Sequence, residues 1–409
     1  MKVIGIDASR ANLKKKTGTE WYTFCLLQEL KKIIRDNERA KNVRFILYSE
    51  EDFDPELIEN APENFKFKVL KWSPKFLWTQ LRLSWEMIWH RPDILYIPAH
   101  VMPFIHPQNT ISTIHDIGFE RVPEVYDTQS IGPKNIFIQS VLKIGARVFS
   151  LGKYSNTHLD YDRYAANFAV KHAQKIITVS EHARKDIADF YSLNPEKIGL
   201  IKNGFMAEKF LANISSDELL RVKNKFNITK PYIFYIGRLE AKKNVLNLVK
   251  AFNILKNKFN IDCQLVLAGS RGNQALEIFR AIKDYKLKND VVEAGYVDEA
   301  DHVALLKGSS LFTLPSLYEG FGVPVLEAQA VHIPVAASNS ASLPEVVGQG
   351  GLTFDPYNPE DMSQTFQKIL ENNELKNQLI KAGLENITKY SWQDSAQKLF
   401  ELLIKFYNK

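Results

Sequence analysis

An α/β fold with two domains, each built on a doubly wound parallel sheet, is predicted by three features of this 409-residue chain. Short apolar runs recur between amphipathic stretches, the strand and helix alternation that a parallel sheet requires. The same alternation restarts at Tyr232, after a turn at Asn203-Gly204 and a polar stretch from Asn213 to Asn227. The length also exceeds what one hydrophobic core organises.

Lys2 to Asp7 reads as the first strand, and no apolar core of signal-peptide length precedes a cleavage site. Trp21 to Ile34 follows as a helix with apolar residues at helical spacing. Strand-like runs continue at Val43 to Tyr48, Phe65 to Leu70, Ile94 to Ile97, Thr110 to Ile114 and Lys175 to Val179. In the second half they recur at Tyr232 to Ile236, Cys263 to Ala268, Val291 to Ala294, Leu311 to Leu314 and Ile333 to Ala336, with a helix from Val245 to Phe259. The expected division is 1–204, 205–390 and a terminal helix in 391–409. That helix opens on a cap-like Ser391 and carries Ala396, Leu399, Phe400, Leu403 and Ile404 on one face.

Chemistry concentrates in the second half. In Leu314-Pro-Ser-Leu-Tyr-Glu-Gly-Phe-Gly-Val-Pro-Val-Leu-Glu-Ala, two carboxylates, Glu319 and Glu327, flank a glycine-bracketed turn. Pro324 stands where a helix starts, and the bare amides of a helix N-terminus favour anions. Strand C-terminal edges are where open α/β sheets bind ligands, and a carboxylate accepts two hydroxyl hydrogen bonds at once. The plainer reading of Glu327 is an acid favouring the helix dipole, with Glu319 solvated. Upstream, Gly237-Arg238 and Lys243-Asn244 form a second strand-turn-helix whose turn carries cations. Arg238 can fork onto a diphosphate and Lys243 can add a point charge. Neither the dinucleotide glycine fingerprint nor a P-loop is present.

Gly237-Arg238, Lys243-Asn244, Gly269, Gly295-Tyr-Val, Glu319-Gly-Phe-Gly, Glu327-Ala and Ser342-Leu-Pro-Glu-Val together resemble the retaining glycosyltransferases of family 4, which have the GT-B fold of two Rossmann-like domains facing a cleft. The resemblance spans nearly the whole C-terminal half. It implies that Arg238 and Lys243 bind the diphosphate of a nucleotide-sugar donor, Glu319 the transferring sugar, and Glu327 the nucleotide ribose. Backbone amides around Phe321 and Gly322 would hold sugar and phosphates. It further implies that the terminal helix returns to the N-terminal domain.

In the N-terminal half, His115-Asp116 ends an apolar strand. The family often carries His-Asp here, so His115 is expected as an active-site sugar contact and Asp116 as its orienting neighbour or an acceptor contact. A structural hydrogen-bonding histidine is the ordinary alternative. The loop Ala8 to Tyr22 departs from the family's glycine-rich pattern, with Lys14 to Lys16 in series; Gly18, at the following helix start, is the residue carried over. Trp72, Trp78, Trp85 and Trp89, interleaved with Lys71, Lys75 and Arg82, have the make-up of a membrane-interfacial segment. Core packing through Leu77, Leu81, Trp85 and Ile88 is the favoured expectation, since core-facing helices dominate α/β proteins. Residues 141–168 are longer than the family's usual connection and are expected to shape the acceptor site. His158, Asp160 and Asp162 lack a recognised ligand spacing, so no metal is assigned.

Composition sets outer bounds. Apolar residues make up 45% and aromatics 11% of the chain, enough for large cores. The net charge of +6 lies mostly in residues 1–205, which hold 29 Lys and Arg against 24 Asp and Glu. An anionic acceptor or lipid would suit that excess; ordinary solvated charge is the plainer reading. Nucleic acid is not indicated, because finger spacing, an aromatic-basic signature and a basic tail are all missing. Cys25 and Cys263 lie far apart, and a reducing, cytoplasmic setting is expected, with the protein soluble or peripheral on the inner membrane face. The expected activity is metal-independent transfer of a sugar to an acceptor hydroxyl in glycan, polysaccharide or glycolipid synthesis, without a cofactor. The rivals are a non-catalytic sugar-nucleotide scaffold, which would bind without turnover, and another GT-B enzyme such as an epimerase or phosphorylase.

Overall fold

The computed structural model describes residues 2–13, 16–73, 77–126, 130, 155–211 and 214–407. Two compact units divide the chain: Met1–Pro123 with Asp127–Gly204 and Ser391–Lys409, and Phe205–Tyr390 with Glu124–Tyr126.

In the first unit the strands are β1 (Lys2–Asp7), β2 (Val43–Ser49), β3 (Phe65–Val69), β4 (Ile94–Ile97), β5 (Thr110–Thr113), β6 (Lys175–Thr178) and β7 (Ile198–Leu200). All pair in parallel, in the order β3-β2-β1-β4-β5-β6-β7. Strand order reverses between β1 and β4, so the loops leaving these strands diverge and open a crevice at their C-terminal ends. The strands β4 and β5 are buried throughout, as expected for a sheet covered on both faces.

The second unit holds β8 (Tyr232–Ile236), β9 (Gln264–Ala268), β10 (Val291–Gly295), β11 (Leu311–Leu314), β12 (Val335–Ser338) and β13 (Gly351–Phe354). They form a parallel sheet in the order β10-β9-β8-β11-β12-β13, the doubly wound order of a Rossmann-like fold. Its switch point lies between β8 and β11. Two expectations shift here. The strand read at Ile333 to Ala336 starts two residues later, after Pro334, whose missing N–H cannot enter a ladder. The sixth strand β13 was not anticipated; it begins at Gly351, where a Cβ would stand 2.6 Å from the Val335 carbonyl oxygen.

The terminal helix Trp392–Tyr407 buries Ala396, Leu399, Phe400, Leu403 and Ile404 within the first unit. The Ser395 hydroxyl donates to the Lys202 carbonyl, Arg39 pairs with Glu401 at 2.8 Å, and the Trp392 ring meets Tyr22 edge-on at 5.8 Å.

The tryptophan-rich segment departs from the core-packing expectation. Trp78 is buried, its indole N–H donating to the Leu70 carbonyl at 2.8 Å, but Leu81, Trp85 and Ile88 are exposed. A π-helical turn, Trp78–Leu83, precedes the helix Ser84–Trp89 and sets its rotation. The inward face instead carries Leu83, Ser84, Glu86 and Met87. Glu86 is held there by Lys68 and Arg82, with His90 at 3.1 Å, so its ion pairs offset its burial.

Candidate active site

At the switch point of the second unit, β8 runs into Gly237-Arg238 and β11 into the loop 315–322. Gly237 and Gly269 let the loops after β8 and β9 nearly touch: a Cβ on Gly269, at φ +137°, would stand 2.0 Å from the Gly237 carbonyl oxygen. Only glycine fits there. Asn244, buried and left-handed at φ 59°, locks the other side. Its amide donates to the carbonyls of Pro315 (3.0 Å) and Pro356 (2.7 Å), fixing the cationic turn against the β11 loop.

Serines after β12 hold that loop from behind. Ser338 donates to the Ser316 carbonyl (2.7 Å), Ser340 to Leu317 (2.6 Å), and Ser342 to both Glu319 and Phe321 (2.8 Å each). The Ser-Leu-Pro-Glu-Val motif thus contributes a clamp through its first residue, a role the sequence did not disclose. Gly322 caps the helix Val323–Ala330 at φ +111°, which L side chains rarely adopt, and a Cβ there would meet Leu343 at 2.6 Å. Phe321 is buried edge-on against Tyr390.

Lys243 and Glu319 come together as an ion pair, Nζ to Oε1 2.5 Å. Burial pushes the Glu319 carboxyl up, but the charges of Lys243 and Lys242 outweigh it, and the group titrates below its ordinary range. It therefore stays a carboxylate, fit to accept hydroxyl hydrogen bonds. Arg238 is 63% exposed, and its ion-pair partner among the described residues is Glu240, 3.7 Å from the guanidinium. Its fork is accordingly open to an incoming anion.

Glu327 lies within the helix Val323–Ala330, and burial raises its pKa to about 7 against the attraction of Lys209. Beside it, His302 Nε2 stands 3.7 Å from the carboxyl, with its own pKa lowered by burial to about 4. His302 is thus neutral at pH 7, and the contact is not an ion pair. Sequence reasoning passed over His302 because it sits inside a helix, Glu299–Lys307, one turn from the start, with no motif around it.

In the first unit, His115 leaves β5 with its Nε2 3.0 Å from the Pro98 carbonyl oxygen. The carbonyl can only accept, so Nε2 carries the proton and Nδ1 keeps its lone pair. Burial drives the His115 pKa down to about 4, and Tyr22 packs edge-on against the ring at 4.6 Å. The orienting bond thus comes from Pro98. Asp116 acts on His115 through its charge, and its carboxylate accepts from the Gly118 N–H at 2.9 Å. Gly18 begins the helix Gly18–Asp36, and a side chain there would meet nothing within 4 Å. The preceding Thr17 N–H donates to Glu20 at 3.1 Å, and Glu20 also takes Arg10 at 3.2 Å. Arg10, Glu20 and the buried Asp7, which accepts from the Ser9 N–H, are polar features of the β1 crevice that no motif announced. Of the three consecutive lysines, Lys14 and Lys15 lie outside the described residues; Lys16 pairs with Asp54 at 2.9 Å and sits over the Phe24 ring.

Much of the long connection, 141–154, also lies outside the described residues. Its described remainder enters the helix His158–His172, where Asp160 accepts from the Ser155 N–H and Asp162 faces His100 at 3.4 Å.

Residues 216–386 match the family described as glycosyl transferases group 1. The chain is 27% identical over 310 residues to O-antigen chain mannosyltransferase B of Escherichia coli, covering 76% of this chain and 72% of that protein. Serotype-specific mannosyltransferase WbdA of the same organism is 27% identical over 307 residues, 75% of this chain but 34% of WbdA. Among solved structures, Anabaena Alr3699/HepE, in complex with UDP-glucose, has a TM-score of 0.68 at 19% identity, covering 99% of this chain and 100% of that one. The fold is therefore GT-B, and the chain is a glycosyltransferase whose residues 216–386 carry the match to glycosyl transferases group 1.

Proposed function

We propose that this glycosyltransferase is a retaining, family 4 enzyme that moves a hexose from a nucleotide-diphosphate sugar to a hydroxyl of a glycan or lipid-linked acceptor, in polysaccharide synthesis. The observation that carries the donor reading is the meeting of Lys243 with Glu319 at the β8/β11 switch point, with the exposed guanidinium of Arg238 on the same loop after β8. The mannosyltransferase relatives support a hexose, and the UDP-glucose bound to HepE supports a nucleotide-sugar donor.

On this reading the leaving diphosphate gathers negative charge as the glycosidic bond breaks, and Arg238, Lys243 and the amides near Gly322 stabilise it. In the free protein Lys243 is committed to Glu319, so an arriving donor shares the ammonium between carboxylate and phosphate. Glu319 is then released toward the sugar hydroxyls, and Glu327 toward the ribose. His115 offers the Nδ1 lone pair to the sugar or acceptor, with Asp116 beside it. These cationic side chains do the work that would otherwise call for a metal ion. The enzyme works in the cytoplasm, with peripheral contact to the inner face of the membrane; among the described residues no helix is long and apolar enough to cross one.

A panel of nucleotide sugars, screened for thermal stabilisation and for slow donor hydrolysis, tests the proposal. One donor should both stabilise the protein and turn over. Stabilisation without turnover, with or without an added glycan acceptor, would return the scaffold reading; no response to any donor would remove the site.

A further inference from the structure

The segment from Leu81 to Trp89 presents its apolar side outward. Leu81, Trp85, Ile88 and Trp89, at i, i+4, i+7 and i+8, are 42%, 60%, 47% and 67% exposed. The exposed Phe104 and Ile105 adjoin them, since the Ile105 N–H donates to the Ser84 hydroxyl at 3.2 Å. Scattered apolar side chains are normal on a surface, but a cluster of this kind marks a contact site.

The charge around the cluster says what kind. Residues 64–91 contain six Lys and Arg and one acid, Glu86, and this accounts for the whole basic excess of residues 1–205. Glu86 is 4% exposed and turned inward to Lys68 and Arg82. Lys75 lies outside the described residues; among those described, the outward charge is cationic, with Lys71 and Arg91 exposed. A second copy of the same face would bring these cations against each other. An anionic lipid surface accepts both components, tryptophans at the headgroup boundary and cations over the phosphates.

We propose that this face docks the enzyme on an anionic bilayer, with Leu81, Trp85, Ile88 and Trp89 entering the interface and Lys71 and Arg91 held over the headgroups. The inference deepens the membrane contact in the function proposed above. It shares no residue with the donor site, so vesicle binding and sugar transfer fail separately.

Sedimentation of the full chain with phosphatidylcholine vesicles, with and without phosphatidylglycerol, at low and physiological salt, tests it. Binding should require the anionic lipid and weaken as salt rises. The double variants W85A/W89A and K71E/R91E should each lower partitioning about tenfold or more. Both should keep the wild-type circular dichroism spectrum, because the altered side chains are exposed. Negligible binding by the wild type, binding indifferent to phosphatidylglycerol, or undiminished binding by both double variants would overturn the proposal. So would a dimer in light scattering that W85A/W89A dissolves, which would assign the face to a second copy.

Discussion

The loops that leave β8 and β11 in the second unit and the loop that leaves β5 in the first are built from different materials. In the second unit the crevice between β8 and β11 is charged: Lys243 meets Glu319, and Arg238 stands exposed on the loop after β8. In the first unit, the loop after β5 supplies a neutral group, a histidine whose ring is fixed by a backbone carbonyl and an edge-on tyrosine. Charged groups suit a ligand that brings or develops charge, whereas a buried neutral histidine suits hydroxyls. The family match, 216–386, lies wholly in the second unit.

The largest expected effect lies on the charged side. Lys243→Ala or Arg238→Ala should lower the transfer rate by about 2 to 4 kcal/mol of transition-state stabilisation, as for loss of a charge-assisted contact to a developing anion. Circular dichroism should stay unchanged, since both side chains leave loops. Near wild-type transfer by both variants would abolish the contrast between the two crevices.

His115→Ala should be milder and of another kind. Transfer should fall by about 30-fold, the order of one buried hydrogen bond of about 2 kcal/mol, while calorimetric binding of the free nucleoside diphosphate is spared. Parallel loss of binding, transfer and fold would make His115 structural.

Glu327 sharpens the comparison because it is a charged-side residue held partly neutral. With its pKa near 7, a ribose contact that needs the carboxylate should strengthen as pH rises from 6 to 8, with nucleoside diphosphate affinity falling by about tenfold per unit below the pKa. Lys209, Glu299 and His302 face this carboxyl, and His302, with its pKa near 4, does not titrate in that window. In Glu327→Gln the pH dependence should shrink to that of the ligand's own terminal phosphate, whose second pKa is about 6. A profile unchanged by that substitution would assign the titration elsewhere.

The smallest effect concerns stability. The folded-state pKa of His302, about 4, lies below its unfolded value of about 6.5, so the unfolded chain takes the proton first and stability is lost as pH falls through that interval. Glu327, raised in the folded state, runs the other way, losing stability as pH rises from about 4.5 to 7. A difference measurement separates them: in His302→Asn the loss of unfolding free energy between pH 7 and pH 5 should shrink by about 1 to 2 kcal/mol relative to wild type. Urea titrations at the two pH values check this, and an equal loss in both proteins would show that His302 does not bury as a neutral group.

Strands such as Tyr232–Ile236 and Leu311–Leu314 were legible because apolar runs bounded by glycine or proline leave few alternatives. Arg238, Lys243 and Glu319 were legible as candidates because strand-to-helix loops keep functional residues close in sequence. What holds them was not. Asn244 reaches Pro315 and Pro356, and Ser342 reaches Glu319, across gaps that no local pattern encodes. The tryptophan segment failed for a related reason. Helical spacing identifies an apolar face but not whether the protein's own core covers it, and Glu86, with partners on Lys68 and Arg82, claimed the inward side. β13 is short and opens on glycine, which carries no strand signal.

The helix Trp392–Tyr407 completes the unit that the first 204 residues begin. During synthesis, β1 through β7 and the helix Gly18–Asp36 emerge well before the helix Trp392–Tyr407, which packs on Gly18–Asp36 and buries Leu399, Phe400 and Leu403. The second unit, continuous from Phe205 to Tyr390 apart from three residues, has no such delay. The first unit is therefore begun before the second and finished after it. A ribosome that stalls before residue 391 would leave an unsealed core on a nascent chain, the kind of species that chaperones bind and proteases remove.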